Sequence, residues 1–469
     1  MAKAKNKFIC RSCGYESAKW MGKCTNCNEW NTFDEIIEAS SKKNDIKLNA
    51  NRKKVKKLKD IESSNRDRII TNISEFNRVM GGGIVKDSIT IISAKPGAGK
   101  STLLLQIAND IAHKGLRVLY ATGEESDSQI KSRAERILKE INANIWILSD
   151  TSMDNVVEYI DEVNPDLIIV DSIQVFTLEE YMPSRSGSPT QTMECANKLL
   201  TIAKNIERPR AVILVGQMNK NEEIAGLRAL EHLVDTVLII DGENEEELRA
   251  LQSTKNRFGG TGEIGFFEMS ENGMISIDNP SEYFITMREK DNIVSGSALS
   301  VVREGSRPII VEIESLVSNS FTPYPSRIGE NLGKDQLNTL ISILEQRGKI
   351  NLFNKNVVIK ITGGLKIKEQ AINLSVIMSI VSSVQHKGIP NDIVFIADVG
   401  LTGELKKVPS LETRIKELDR MGYKKVYIAK DSFNRPVKFN NIKLVECANL
   451  SEVMFNVFGN MKKVEENDK

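Results

Sequence analysis

The chain has 469 residues, enough for two or three domains that each bury a core. Its 64 Lys and Arg stand against 63 Asp and Glu, a net charge of +1, so no global excess of positive charge advertises nucleic acid or a membrane and any basic site must be local. No stretch approaches ~18 consecutive apolar residues and the opening MAKAKNKFIC lacks the apolar run of a signal peptide, so the expectation is a cytoplasmic protein with no membrane partner.

Residues 1–34 form a short unit too small to bury a useful core without a staple. Four of the six cysteines lie here, as Cys10-x2-Cys13-x10-Cys24-x2-Cys27. Two CxxC turns supply the four thiolates that tetrahedral Zn²⁺ accepts, with no position left for a catalytic water. A redox CxxC pair is the alternative, but it leaves the second pair unexplained. Residues 35–60 follow as a linker, whose stretch from Ser40 to Asp60 carries nine Lys or Arg and no aromatic residue.

From 61 to 280 short apolar strands alternate with helical patterns: SITIISA, RVLYAT, DLIIVDS, AVILVGQ and DTVLIID. That rhythm predicts a parallel sheet covered by helices on both faces. Between the first strand and the helical STLLLQIANDIA stands Ala94-Lys95-Pro96-Gly97-Ala98-Gly99-Lys100-Ser101, a P-loop with alanine at its first glycine. Gly97 and Gly99 allow backbone amides to approach the phosphates of ATP, and the helix start turns its positive dipole end to them. Lys100 is expected on the β- and γ-phosphates and Ser101 on Mg²⁺. Asp171, at the carboxyl edge of DLIIVD, is expected beside Mg²⁺; an acid that merely ends a strand is the plain alternative. Glu124 and Glu125 lie just past RVLYAT, the strand after the P-loop helix, and one of them is the candidate base for the attacking water.

Residues 285–459 read as a second α/β domain, closed by a charged tail at 460–469. His113, His232 and His386 show no ligand spacing, and Cys195 and Cys447 are expected to be small buried hydrophobes.

Several strings together resemble the bacterial RadA (Sms) DNA-repair family, a relative of RecA and of the replicative hexameric helicases. They are the four-cysteine unit, YATGEES, IAGLRALEHLVDTVLIIDGE, Lys255-Asn256-Arg257-Phe258-Gly259 and EIGFFEM. The resemblance implies a RecA-like P-loop ATPase core, a DNA-dependent and helicase-like activity, and a homohexamer on single-stranded DNA. It implies branch migration of recombination intermediates in DNA repair, alongside the RecA recombinase. It also makes Glu124 the catalytic glutamate and puts Gln217 at the γ-phosphate sensor, where the family commonly has histidine. Ala225-Gly226-Leu227 stands where the family has Ala-Gly-Pro.

The segment 285–459 resembles the Lon protease domain through ITGGLKI, INLSVIMSIVSS and FIADVGLTGEL. The catalytic lysine of that domain falls at Glu412, and LKIKEQAIN lacks the serine, so the resemblance implies an inactive scaffold for ring assembly and DNA contact. An ATP-dependent protease, or a signalling RecA-fold ATPase without DNA, are the competing readings. The loops expected at DNA, FTLEEYMPSRSGSPTQTME and QMNKNEEIAGLR, carry Arg185, Lys220 and Arg228, which suit phosphate contact. Lys255 and Arg257 are expected to point to opposite sides of a strand, one towards a neighbour's γ-phosphate as an arginine finger; surface cations at a strand end are the plain reading.

Overall fold

The computed structural model describes residues 6–10, 16–17, 19, 21–27, 29, 33–37, 57 and 59, and then 68–459 apart from 218–227, 243–246, 290–291, 365–366, 368 and 436. Two compact units result, Met1–Asn65 and Arg66–Lys469. In the first, Asn6–Cys10 pairs antiparallel with Glu16–Ser17 on one side and with Phe33–Ile37 on the other.

The second unit is α/β, as the sequence predicts, and holds two sheets. The first has nine strands. Six are parallel and run, across the sheet, Ile145–Ser149, Val118–Thr122, Leu167–Asp171, Ala211–Gln217, Ile89–Ala94 and Thr236–Asp241. Their central members are mostly aliphatic because both faces are covered, and every residue of Ile89–Ala94 is buried, Thr90 and Ser93 included. Alternate side chains feed different cores. Ile92, Ile169, Ile213 and Val215 pack with Leu103, Leu104 and Ile107 of the helix Lys100–His113, whereas Ile91, Ile168, Val170 and Leu214 pack with Val156 and Leu199 of the helices Met153–Val163 and Pro189–Ala203. Beyond Thr236–Asp241 the sheet continues with three antiparallel strands, Leu248–Asn256, Ile264–Ser270 and Gly273–Ser276.

Seven strands form the second sheet, in the order Arg327–Glu330, Lys355–Ile361, Arg307–Asn319, Ser297–Glu304, Ile393–Ile396, Lys425–Ala429 and Lys443–Cys447. The helix Asn373–Gln385 lies against it and is buried along most of its length, which explains its apolar run. The limit drawn at 280/285 falls between the sheets without dividing the unit. Phe266 of the first sheet packs edge to face on Phe284, ring centroids 5.6 Å apart, inside the core of the second.

The buried Arg414 of the helix Leu411–Arg420 pairs with Glu369, which lies near Glu304. Burial, and then the charge of Glu369, push the Glu304 carboxyl up from 4.5 to about 7. Between those two values the folded chain keeps a proton that the unfolded chain releases, so stability falls as pH rises through the window. Glu304→Gln should escape that loss. In thermal melts its Tm is expected to exceed the wild-type value above pH 7 and to converge with it below 4.5; a constant difference across the range would refute the assignment.

Candidate functional site

The parallel register gathers one end of each strand at a single edge of the sheet. Gln217 pairs with Ala94, Leu214 with Val170, and Thr122 with Asp171. After Ala94 the chain turns through Gly97 at φ 82° and Gly99 at φ 99°, then enters the helix Lys100–His113. Gly99 has a second reason to lack a side chain, since a Cβ there would lie 2.4 Å from Met269 Cε. Lys100 Nζ folds over this loop and donates to the carbonyls of Ala94 at 2.9 Å and Lys95 at 3.3 Å. Burial holds its ammonium below the usual lysine range, against the opposing pull of Asp171 and Glu124.

Asp171 accepts on one oxygen, Oδ2, from Ser101 Oγ at 3.2 Å and from Tyr120 OH at 2.7 Å. Burial pushes this carboxyl up, and the Tyr120 hydroxyl works against that rise. A hydroxyl beside a carboxylate is the hard-oxygen pair that Mg²⁺ prefers, and the glycine loop at a helix start suits a polyphosphate. The residues present therefore fit Mg²⁺ and ATP.

The two neighbouring glutamates part company here. Glu124 Oε1 accepts from Gln217 Nε2 at 2.7 Å and from Ser172 Oγ. Glu125 turns away to Arg133, 2.6 Å distant on the helix Asp127–Ile137, whose start is closed by the capping box of Ser126 and Gln129. Tyr120, Ser172 and Arg133 were not singled out in the sequence. Only the tyrosine left a trace, as a hydroxyl in an otherwise aliphatic buried run that needs a partner.

Lys255 and Arg257 do not part to opposite sides. Residues two apart line one face of a strand, so a period of two gives these cations a common direction, and the expectation of opposite sides misapplied it. Lys255 Nζ donates to the carbonyls of Glu231 at 2.6 Å and Val234 at 2.8 Å, at the end of the helix Arg228–Leu233, while Arg257 pairs with the neighbouring Asp235 at 3.1 Å. Asp235 accepts from Ile89 N, at the amino end of the P-loop strand. Five residue steps of extended strand, about 16 Å, separate Ile89 from Ala94, so both cations stand at the sheet edge opposite their own P-loop.

In the N-terminal unit Cys24 is buried and Cys27 half-buried, and Asn26 N points to Cys24 Sγ at 3.4 Å, the amide-to-sulfur contact of a metal-binding turn. These two cysteines fit Zn²⁺. Cys10 closes the first strand, and Cys13 lies outside the described residues. So do Lys220 and residues 225–227 of the second DNA loop, whereas Arg185 in the first is exposed and Arg228 opens its helix. Glu412 pairs with Lys416 at 2.7 Å, and the buried Ser375 is spent on the carbonyls of Leu299 and Phe395. Cys195 and Cys447 are buried, as expected, and burial pushes the Cys195 thiol up to about 12. Among the described residues no helix is long and apolar enough to cross a membrane.

Residues 8–35 match a rubredoxin metal binding domain, and residues 54–223 match an AAA domain. A DNA repair protein RadA of Bacillus subtilis is 40% identical over 97% of this chain and 99% of its own length. Another from Listeria monocytogenes is 41% identical over 92% of this chain and 94% of its own. Among solved structures, a KaiC-like protein of Pyrococcus horikoshii aligns with 45% of this chain and 99% of its own at 19% identity, with a TM-score of 0.38.

Replacing Tyr120 by Phe removes the donor that restrains the Asp171 carboxyl, whose affinity for protons then rises. Titrating a fluorescent ATP analogue should show unchanged affinity without Mg²⁺ and a roughly fivefold higher half-saturating Mg²⁺ concentration, the scale of one lost hydrogen bond. The deficit should deepen as pH falls. An unchanged Mg²⁺ requirement at every pH would exclude the role.

Proposed function

This chain belongs to the RadA family of DNA repair proteins, and from that premise we propose that it is a homohexameric, helicase-like motor on single-stranded DNA that promotes branch migration of recombination intermediates beside the RecA recombinase. The coarser reading is firm: an ATPase of DNA repair with a zinc-ribbon segment. Four thiolates, Cys10, Cys13, Cys24 and Cys27, would hold Zn²⁺ as a structural staple. The cytoplasm is the compartment such work requires.

One contact carries the motor reading, the hydrogen bond from Gln217 to Glu124. Gln217 ends the strand that leads into residues 218–227, the segment assigned to DNA, and it grips the carboxylate assigned to water activation. Both donors on Glu124 sit on Oε1, which leaves Oε2 to take the proton of the attacking water. Lys100 would leave the carbonyls of Ala94 and Lys95 to neutralise the phosphates. Mg²⁺, held by Ser101 and through Asp171, would neutralise charge on the β- and γ-phosphate oxygens.

Lys255 and Arg257 stand too far along the strand to serve their own nucleotide, which supports their supply to a neighbouring copy. The surface pairing of Glu412 with Lys416 supports a C-terminal domain without proteolytic chemistry.

Two experiments test this function. Gln217→Ala should bind ATP normally yet lose most of the stimulation of hydrolysis by single-stranded DNA, its ratio of DNA-bound to DNA-free turnover falling towards one; a fully retained ratio rules out coupling through Gln217. Mixing Lys100→Ala with Lys255→Ala subunits, each nearly inactive alone, should restore hydrolysis wherever a sound P-loop faces a sound cation. Two mutants that co-assemble and restore nothing would place Lys255 within its own subunit.

A further inference from the structure

Residues 257–263 form the turn that carries Arg257 and closes the strand of Lys255, and the rest of the unit clasps it from two sides. On one side Arg68 donates to Phe258 O at 2.8 Å and to Gly83 O at 3.2 Å. Gly81 and Gly259 meet there backbone to backbone, so that a Cβ on either would lie 2.9 Å from the Cα of the other. On the other side stands the hairpin turn that joins the strands Ser297–Glu304 and Arg307–Asn319 of the C-terminal sheet. Its Gly305, at φ 63°, presses on the turn so closely that a Cβ would lie 2.2 Å from Gly262 O and 2.9 Å from Glu263 Cα.

A line of charges ties this hairpin to the same turn. Arg307 Nη1 donates to Glu75 Oε1 at 2.9 Å, Glu75 Oε2 accepts from Arg78 Nη2 at 3.1 Å, and Arg78 Nη1 reaches Glu263 Oε2 at 3.0 Å. Glu75 is only 3% exposed and also accepts from Phe266 N at 2.9 Å, so a single geometry satisfies it. Arg307 further donates to Asp278 O. None of these contacts involves the P-loop.

We propose that Arg307 and the Gly305 hairpin are positioning elements for Lys255 and Arg257, through which the C-terminal domain sets the aim of the cations offered to a neighbouring copy. This rests on the reading of those cations as acting in trans. A group aimed at a phosphate loses most of its effect when displaced by about 1 Å, whereas a contact that only supports folding affects every function of its subunit alike.

That contrast gives the test. The Lys100→Ala and Lys255→Ala mixture is the reference, and Arg307→Ala is added to one partner at a time. Placed on the Lys100→Ala subunit, which supplies the cations, it should lower the restored kcat by about tenfold with KM unchanged. On the Lys255→Ala subunit, which supplies the P-loop, it should leave the restored rate near the reference. Arg307→Lys on the cation-supplying subunit should recover part of the rate. Gly305→Ala, which sets a methyl against Gly262 O without removing a charge, should repeat the asymmetry and serves if Arg307→Ala unfolds. Equal losses in both placements, or no loss in either, overturn this proposal while leaving the trans reading intact. A reference mixture that restores nothing removes the trans reading and this proposal together.

Discussion

The ladder of backbone hydrogen bonds between Ile89–Ala94 and its two neighbours is the constraint on which the site depends. Because both pairings are parallel, the carboxyl ends of the strands meet at one edge and the amino ends at the other. Gln217 stands level with Ala94, and Asp171 one strand further with Thr122. The antiparallel return of Leu248–Asn256 then delivers Lys255 and Arg257 to the opposite edge. A phosphate cradle and a pair of candidate fingers thus occupy opposite ends of one rigid sheet. No rotamer change closes a gap of about 16 Å, so in a head-to-tail array each copy can complete the next one's site and leave its own incomplete.

The electrostatics of the cradle follow from its depth. Burial alone would drive Asp171 to hold a proton and Lys100 to release one. Asp171 and Glu124 counter that tendency in Lys100, while Tyr120 and Ser101 donate to the Asp171 carboxyl and hold its rise in check. The result is an amine and a carboxyl kept partly dry beside the glycine loop, where electrostatic interaction with a polyphosphate is stronger than in water. Glu124 is held differently, by one hydroxyl and one amide, both neutral and both able to move away without stranding a charge.

Much of this was legible in the sequence, for local reasons. The P-loop is read from eight consecutive residues, and Asp171 from its place at the end of an aliphatic run, since the backbone around them leaves little choice. What escaped depends on residues far apart in the chain. The separation of Glu124 from Glu125 is made by Arg133 on one side and by Gln217 and Ser172 on the other. The common direction of Lys255 and Arg257, by contrast, is what a period of two gives to residues two apart, so it was legible and the expectation of opposite sides misapplied the period. The limit at 280/285 marked a change of composition, yet Phe266 and Phe284 share one core across it.

The join between the two sheets is specified as much by charge as by apolar contact. Phe266 and Phe284 supply area, but apolar surfaces tolerate small slips. A carboxylate as buried as Glu75 does not, because an unpaired charge at that depth costs several kcal/mol. With Arg78 and Arg307 on its two oxygens and Phe266 N completing the set, the helix Ser74–Val79 is locked to the C-terminal hairpin in one register. Glu263 then inherits its place from Arg78. An ionic lattice of this kind is a poor source of stability and a good source of position, and position is what a group meant to meet a phosphate on another molecule needs.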